Sequence, residues 1–421
     1  MPHVTAPPQP RATFARRPQA CADCGLFLHI PPLPRSAVAR CPRCNAVLRR
    51  RRTDPHGRAL AMAVTGLVLF ALATQSPFMD LELGGREQAT TLLTGPEVLT
   101  DSSLWLLGVV VLVTTLAAPL TKLAATTWVL VALRLPRPPR HLPMVFRLVE
   151  RLAPWSMVEV FLLGVFVAYT KLIDIAHVHV GLAVYALGGL MLAMAAADAA
   201  LDDEAVWNAL ERKGVTAAPM PAREGRGPRI ACTCCGLVSR GVATCPRCGA
   251  ALRARQPDSL ARSWALLAAA AVLYVPANLL PVMTVVSFGQ GAPSTILSGV
   301  IELAQEGMWP LAALVFFASI TVPVLKVLSL VWLLVSTRRR SAARLRERTT
   351  LYRVVDAIGR WSMIDVFMIS ILTALLRLGF LVSVNPGPGA IAFCAVVILT
   401  MLAAQTFDPR LMWDAAGQNR R

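Results

Sequence analysis

The sequence predicts an all-α polytopic membrane protein built as a tandem repeat, each unit a zinc ribbon followed by four transmembrane helices, with small periplasmic β-hairpins. Three observations predict it. Of the 421 residues, 55% are hydrophobic and only 16% charged, with a mean hydropathy of +0.56. A water-soluble chain of that composition would expose large apolar areas, so most of this one must face lipid. Next, apolar stretches long enough to span a bilayer recur at 59–79, 104–133, 153–173, 178–200, 260–283, 309–335, 361–382 and 389–407, two groups of four. Finally, eight of the ten cysteines form CxxC pairs, two ahead of each group.

The two groups are copies. Trp105, Pro119, Lys122 and Trp128 recur 204 residues later as Trp309, Pro323, Lys326 and Trp332. Trp155-Ser156-Met157-Val158-Glu159-Val160-Phe161 recurs at an offset of 206 as Trp361-Ser362-Met363-Ile364-Asp365-Val366-Phe367, and Asp202 and Trp207 recur as Asp408 and Trp413. The chain then divides into an N-terminal segment without fixed structure (1–18), a first ribbon (19–52), four helices (57–201), a linker (202–228), a second ribbon (229–256), four more helices (259–407) and a tail (408–421). After the first helix of each unit, alternating residues such as Asp80-Leu81-Glu82-Leu83 before Gly84-Gly85, and Val285-Val286-Ser287-Phe288 before Gly289-Gln290-Gly291, read as hairpins.

Orientation follows from arginine. Only four of the 42 basic residues are lysine, within a net charge of +18. Segment 1–58 holds eleven arginines, 134–151 five and 338–353 seven, whereas 80–103 holds one basic residue and 284–307 none. The positive-inside rule puts both ribbons and both termini in the cytoplasm. It also accounts for most of the +18 without a nucleic-acid partner.

Cys21, Cys24, Cys41 and Cys44 in the first ribbon, and Cys232, Cys235, Cys245 and Cys248 in the second, have the spacing of tetrahedral thiolate sites, predicting two zinc ions. Four thiolates leave no open coordination position, which favours a structural role. Iron in a rubredoxin-like site is the minority reading, and DNA binding is weaker still because neither ribbon carries a recognition helix.

The second constellation lies inside the membrane. Counting helical rise from the flanking arginines puts Lys122 and Glu159 at one depth, and Lys326 and Asp365 at one depth, so that each lysine is expected to meet the acid of the next helix. Pro119 and Pro323 precede the lysines by three residues and are expected to free the carbonyls of Thr115 and Ser319. Such pairs either lock helices together, with the lysines snorkelling, or line a polar cavity and relay protons. His177 and His179 read as interfacial. No GxSxG, Walker A, HExxH or Rossmann glycine pattern occurs, so no enzyme is predicted.

The doubled ribbons, the Pro119-Lys122 and Pro323-Lys326 positions, the two WSM blocks and the closing Phe407-Asp408-Pro409-Arg410 together resemble the paraquat-inducible protein A family, the PqiA/LetA group of bacterial inner-membrane proteins. The first repeat departs from the closing pattern, with Leu201-Asp202-Asp203-Glu204. The resemblance implies a multi-pass protein of the bacterial inner membrane that hands lipids to, or takes them from, a PqiB/LetB-like MCE-domain protein forming a tunnel across the periplasm. It makes the buried lysine/acid residues the natural candidates for proton coupling. A metal- or redox-responsive membrane sensor and a proton-coupled small-molecule efflux transporter are the alternatives. A neighbouring reading frame encoding tandem MCE domains would favour the lipid reading over both.

Overall fold

The computed structural model describes residues 18–418 except 32, 35–36, 53, 84–85, 102–103, 174–176, 217–226, 288–289 and 377–381. Of the segment 1–18 read above as unstructured, residues 1–17 lie outside the described residues and Pro18 opens a strand; residues 217–226 of the linker also lie outside them. In chain order, β1 (Pro18–Ala20), β2 (Phe27–His29), β3 (Val38–Arg40) and β4 (Val47–Arg50) form the first ribbon as two short hairpins. Each cysteine pair sits on a tight turn in which the residue after the second cysteine adopts a left-handed backbone. Gly25, Gly236 and Gly249 fill three of those positions with φ near +70°, and Asn45 fills the fourth at 61°.

The first membrane module comprises α1 (Pro55–Gln75), β5 (Met79–Leu83), β6 (Arg86–Thr90), α2 (Thr94–Asp101), α3 (Trp105–Leu112), α4 (Ala118–Ala132), α5 (Leu142–Leu152), α6 (Val158–Leu172), β7 (His177–Val180) and α7 (Leu182–Ala200). Then come α8 (Asp203–Arg212) and the second ribbon with β8 (Arg229–Ala231) and β9 (Val238–Arg240). The second module repeats the first: α9 (Ser259–Leu279), β10 (Met283–Ser287), β11 (Gln290–Ser294), α10 (Ile296–Gln305), α11 (Trp309–Phe316), α12 (Val322–Arg338), α13 (Leu345–Ile358), α14 (Ile364–Leu375), β12 (Val382–Pro386), α15 (Pro388–Thr406) and α16 (Arg410–Ala415).

Among the described residues, eight helical segments are long and apolar enough to cross a membrane. Two of them start well before the sequence-based boundaries. The third runs from Leu142 to Leu172 and the seventh from Leu345 to Leu375, because amphipathic α5 and α13 join α6 and α14 through 3₁₀ turns at Ala153–Trp155 and Gly359–Met363. Their arginines, in segments 134–151 and 338–353, had left them outside the sequence-based spans. The segment read as a plain linker likewise opens with a helix, α8, whose first turn is capped by the Asp202 carboxylate accepting from the Ala205 N–H.

At the end opposite the ribbons, each module carries a three-stranded antiparallel sheet, β6-β5-β7 and β11-β10-β12. The third strand enters between the last two spans of each module, pairing Met79 with Val180 and Met283 with Pro386. His177 and His179 therefore belong to a strand, and the alternation His-Val-His-Val was its signal. In the second hairpin Gln290 and Gly291 pair with Ser287 and Val286, so they are strand rather than turn.

Within the modules α1 packs along α7 and α9 along α15, and the two modules meet where α6 lies against α14. Gly164 makes that approach possible: a Cβ there would lie 3.0 Å from the Cβ of Phe367. The Phe161 and Phe367 rings meet edge-on beside it, 5.6 Å between centroids. Every residue of α14 is buried, which makes it the central helix of the molecule.

The ribbons dock crosswise. The first sits on the second module, where Arg353 donates to Asp23 at 2.6 Å and to the Cys44 carbonyl at 3.2 Å, and the Arg43 guanidinium lies 4.3 Å over the Trp413 ring. The second sits on the first module, where Arg147 donates to the Cys248 carbonyl at 3.4 Å and Arg247 donates to Asn208. Arg147 and Arg353 are repeat equivalents, as are Trp207 and Trp413, so both docking sites use the same positions. Replacing Arg353 by Ala is expected to raise amide exchange in β1–β4 and leave β8 and β9 protected, at a local cost of about 1.5–3 kcal/mol for the charged hydrogen bonds lost. Hydrogen-exchange mass spectrometry reads this directly, and equal loosening of both ribbons would count against crossed docking.

Candidate functional site

Each ribbon gathers four sulfurs within 4.8 Å of one another: Cys21, Cys24, Cys41 and Cys44, and Cys232, Cys235, Cys245 and Cys248. Across each set the closest Sγ···Sγ distances are 3.4–3.6 Å. Sulfurs bound tetrahedrally at about 2.3 Å would lie about 3.8 Å apart, so the cage fits a metal ion with little adjustment. Packed this closely, the Cys24 and Cys44 thiols shift in opposite directions. Hydrogen bonding from Cys21 holds Cys44 down at about 2, while thiol neighbours push Cys24 up. A divalent cation would let all four be thiolates at once. Cys234 stands outside the cage and donates to Glu150 at 3.1 Å.

The intramembrane charges meet at the seam between the modules. A cavity of about 850 Å³ is lined from the first module by Lys122, Ser156, Glu159, Met191 and Asp198, and from the second by Lys326, Tyr352, Asp356, Gly359 and Arg360. Three cationic and three anionic side chains thus face one space. Their pairing differs from the sequence expectation. Lys122 donates to Asp198 at 2.6 Å rather than to Glu159, and Glu159 instead accepts from Arg360 at 3.4 Å.

Lys326 and Asp365 are not partners either. Lys326 lies against Gly359, where a Cβ would come within 2.9 Å of its ammonium nitrogen. Asp365 is six residues further along, about 9 Å at helical rise. Depth had been counted from the 353–360 region as though it marked the membrane edge, but the 3₁₀ turn after α13 carries Arg360 into the chamber. The Asp365 carboxylate, fully buried, faces Lys171 of the first module across a small cavity of about 30 Å³, beside the Ser319 hydroxyl. Neither Asp365 nor Ser319 has a hydrogen-bond partner among the described residues.

Lys326 is also without a hydrogen-bond partner among the described residues, at 3% exposure. Asp356 is the acid whose charge reaches it. The repeat explains why. The position equivalent to Asp198, 206 residues on, is Ala404, and Ala404 lines the same cavity. One lysine keeps its counter-ion, while the other faces open space. Sequence reasoning missed Asp198, Lys171, Asp356 and Arg360. A lone charge in an apolar run marked the first two, and comparing the copies at the 206-residue offset would have exposed Asp198 against Ala404.

Proline shapes the wall of the site. Before Pro119 and Pro323 the helices widen into π turns, Val113–Ala117 and Phe317–Thr321, with Ala118 donating to Val113 and Val322 to Phe317. In that wider register the carbonyl deprived of its donor by Pro119 is that of Thr114, not Thr115. The Met157 N–H supplies the missing bond at 3.3 Å, tying the start of α6 to the bulge. Thr115 turns its hydroxyl back to the Val111 carbonyl at 2.7 Å.

A second space, about 510 Å³ and almost wholly apolar, runs between α6 and α7 from Met79 and Val180 at the sheet end past Leu162, Phe166, Tyr169 and Val184. It shares Glu159 and Met191 with the charged cavity. A polar chamber and an apolar groove thus share a wall, an arrangement suited to an amphiphile.

The family profile described as "Paraquat-inducible protein A" matches residues 57–211 and 260–417. "Intermembrane transport protein PqiA" of Escherichia coli (strain K12) is 35% identical over 404 residues, covering 94% of this chain and 95% of that protein. "Lipophilic envelope-spanning tunnel protein A" of the same organism is 33% identical over 401 residues, covering 94% and 91%. "Probable intermembrane transport protein" of Haemophilus influenzae is 25% identical over 403 residues. No solved structure matches the chain. Both four-span modules carry the match, and the chain belongs to the paraquat-inducible protein A family.

Proposed function

We propose that the protein is the inner-membrane component of an intermembrane lipid transport system, loading lipids into, or receiving them from, an MCE-domain tunnel protein. The observation that carries this reading is the junction of the charged cavity with the apolar groove at Glu159 and Met191. A phosphate headgroup would take the place of the missing counter-ion at Lys326, and acyl chains would run along α6 and α7 towards the sheets. Relatives bearing the names "intermembrane transport protein" and "lipophilic envelope-spanning tunnel protein A" support a transport rather than an enzymatic role.

Arginine distribution supports an orientation with ribbons and termini cytoplasmic and the sheets periplasmic. The sheets would then face the tunnel. With no nucleotide-binding motif in the sequence, any energy in this reading would have to come from a proton gradient, lipid gradients or another subunit. Lys326 and Asp365, with Lys122 and Glu159 as their repeat counterparts, are the coupling residues in this proposal, because an ammonium or carboxyl group in an apolar site can release or take up a proton. Pro119 and Pro323, with Thr115 and Ser319 in the π turns, form the hinge beside them.

The sensor reading keeps one specific support. Arg353 donates to the Cys44 sulfur at 3.4 Å, and its neighbours Tyr352 and Asp356 on α13 line the cavity. Loss of the ribbon metal would loosen that wall.

Three outcomes test the proposal. Purified protein is expected to contain two zinc ions per chain by elemental analysis, lost progressively on acidification as protons displace metal from thiolate. Stoichiometric iron would replace the zinc assignment. Single cysteines in a thiol-free background are expected to react with a membrane-impermeant reagent from the periplasm at position 291 and not at position 340, and the opposite pattern would invert the orientation. Lys326→Ala and Asp365→Ala are each expected to abolish lipid transfer at normal abundance, and Lys326→Arg to fail as well, since guanidinium does not release its proton. Ala404→Asp, which restores the counter-ion of the first module, is expected to slow transfer about tenfold or more, equivalent to roughly 1.4 kcal/mol of added stabilisation of the lysine. Full transfer in Lys326→Ala would reduce the lysine to helix packing.

A further inference from the structure

Where the first ribbon passes the chain to α1, four arginines line one cleft. Arg50 ends β4, Arg51 and Arg52 follow it, and Arg58 lies in the first turn of α1. The facing wall is the last stretch of α7, with Ala196, Ala199 and Ala200. The cleft encloses about 480 Å³, and no acidic residue is among those lining it. Acids nearby are engaged: Asp198 with Lys122 at 2.6 Å, Glu204 with Arg49 at 3.0 Å, and Asp54 with the Gly57 N–H at 3.1 Å.

Two of the arginines build the cleft. Arg51 donates to the Leu33 carbonyl at 2.6 Å, and Arg52 donates to the carbonyls of Asp198, at 2.8 Å, and of Leu201. Arg52 thereby caps the negative end of α7. The side chains of Arg50 and Arg58 are exposed and make no hydrogen bond or ion pair among the described residues. The preference for basic residues on one membrane face accounts for the side on which they lie, but not for their convergence on one concave space.

The depth selects the ligand. α1 and α7 pack side by side and both end here, so the cleft lies at the ribbon-side edge of the hydrocarbon, the level of lipid phosphates. Guanidinium groups present forked donors that suit phosphate oxygens, and basic pockets at this level hold anionic headgroups. The alanine wall leaves room against the helix. Further along the same face, Leu192 and Tyr185 are 65% and 68% exposed and offer an apolar track for a chain.

We propose that this cleft binds the phosphate of an anionic glycerophospholipid from the ribbon-side leaflet. Leu192 also lines the charged cavity, so a lipid held here lies at the lateral edge of that chamber. Binding in the cleft does not require the cavity to carry lipid. A free phosphate ion shares the chemistry, and the experiment separates the two.

Delipidated full-length protein in detergent is titrated with phosphatidylglycerol or phosphatidylcholine, and bound lipid is counted by native mass spectrometry. Wild type is expected to hold one phosphatidylglycerol in preference to phosphatidylcholine. Arg50→Gln with Arg58→Gln is expected to weaken that binding about thirtyfold, the equivalent of about 1 kcal/mol for each arginine beside an anionic headgroup. Arg50→Lys with Arg58→Lys is expected to keep most of it, which separates lost charge from lost folding. Lys326→Ala is expected to leave the cleft-bound lipid in place, so a lipid lost in that variant alone belongs to the cavity. Undiminished phosphatidylglycerol in the glutamine variant, or equal affinity for phosphatidylcholine, would overturn the proposal. Inorganic phosphate that binds at millimolar concentration while phosphatidylglycerol does not would also overturn the lipid assignment and give the cleft to the free ion.

Discussion

A charge inside the hydrocarbon layer must find a counter-charge, a polar space or a way to lose its proton, and the architecture of this protein follows from that cost. The bundle interior supplies two solutions at once. Lys122 has Asp198 and Glu159 has Arg360, each an ion pair on the wall of a shared chamber. Lys326 and Asp365 have no hydrogen-bonded partner among the described residues and face cavities, with Asp356 and Lys171 as the opposite charges that reach them, which makes the seam between the modules a site rather than a simple packing surface. Divergence between the copies created the difference: alanine stands at position 404 where the first repeat has an aspartate at 198.

The same cost shapes the backbone. A proline within a membrane helix strands a carbonyl, and here the π turn passes that carbonyl to the start of the next long helix, where Met157 satisfies it. The bulge and the broken third span are therefore two parts of one device. The 3₁₀ break at Ala153–Trp155 lets α6 begin beside the bulge, and its counterpart at Gly359–Met363 brings the Lys326 ammonium against the Gly359 backbone.

Outside the membrane the constraint is size. A ribbon of about thirty residues cannot bury a sufficient apolar core, and a four-cysteine cage that could hold a metal ion is suited to take over that role. The docking surfaces are built from the cysteine knuckles themselves: Arg43 and Arg247 reach out from them, and Arg353 and Arg147 reach in. Crossed docking fastens each module to the ribbon of the other repeat. The first ribbon's cysteine cage and the cavity wall consequently share α13, the helix that touches both.

The sequence by itself determined the repeated architecture, eight apolar spans and two four-cysteine cages, because hydrophobic length and CxxC spacing are local properties readable without knowing any neighbour. It also singled out Lys122, Lys326, Glu159 and Asp365 as charges that had to be explained. Only the tertiary structure decided how they pair. Pairing depends on where each helix starts and how far it reaches across the seam, and the arginines of α5 and α13 had left those starts outside the sequence-based spans. The crossing of the ribbons, the pairing of each sheet's third strand with its hairpin and the convergence of Arg50 to Arg58 on the end of α7 were likewise invisible. Each joins segments distant in sequence, and nothing in a local pattern records which distant surface a side chain will meet.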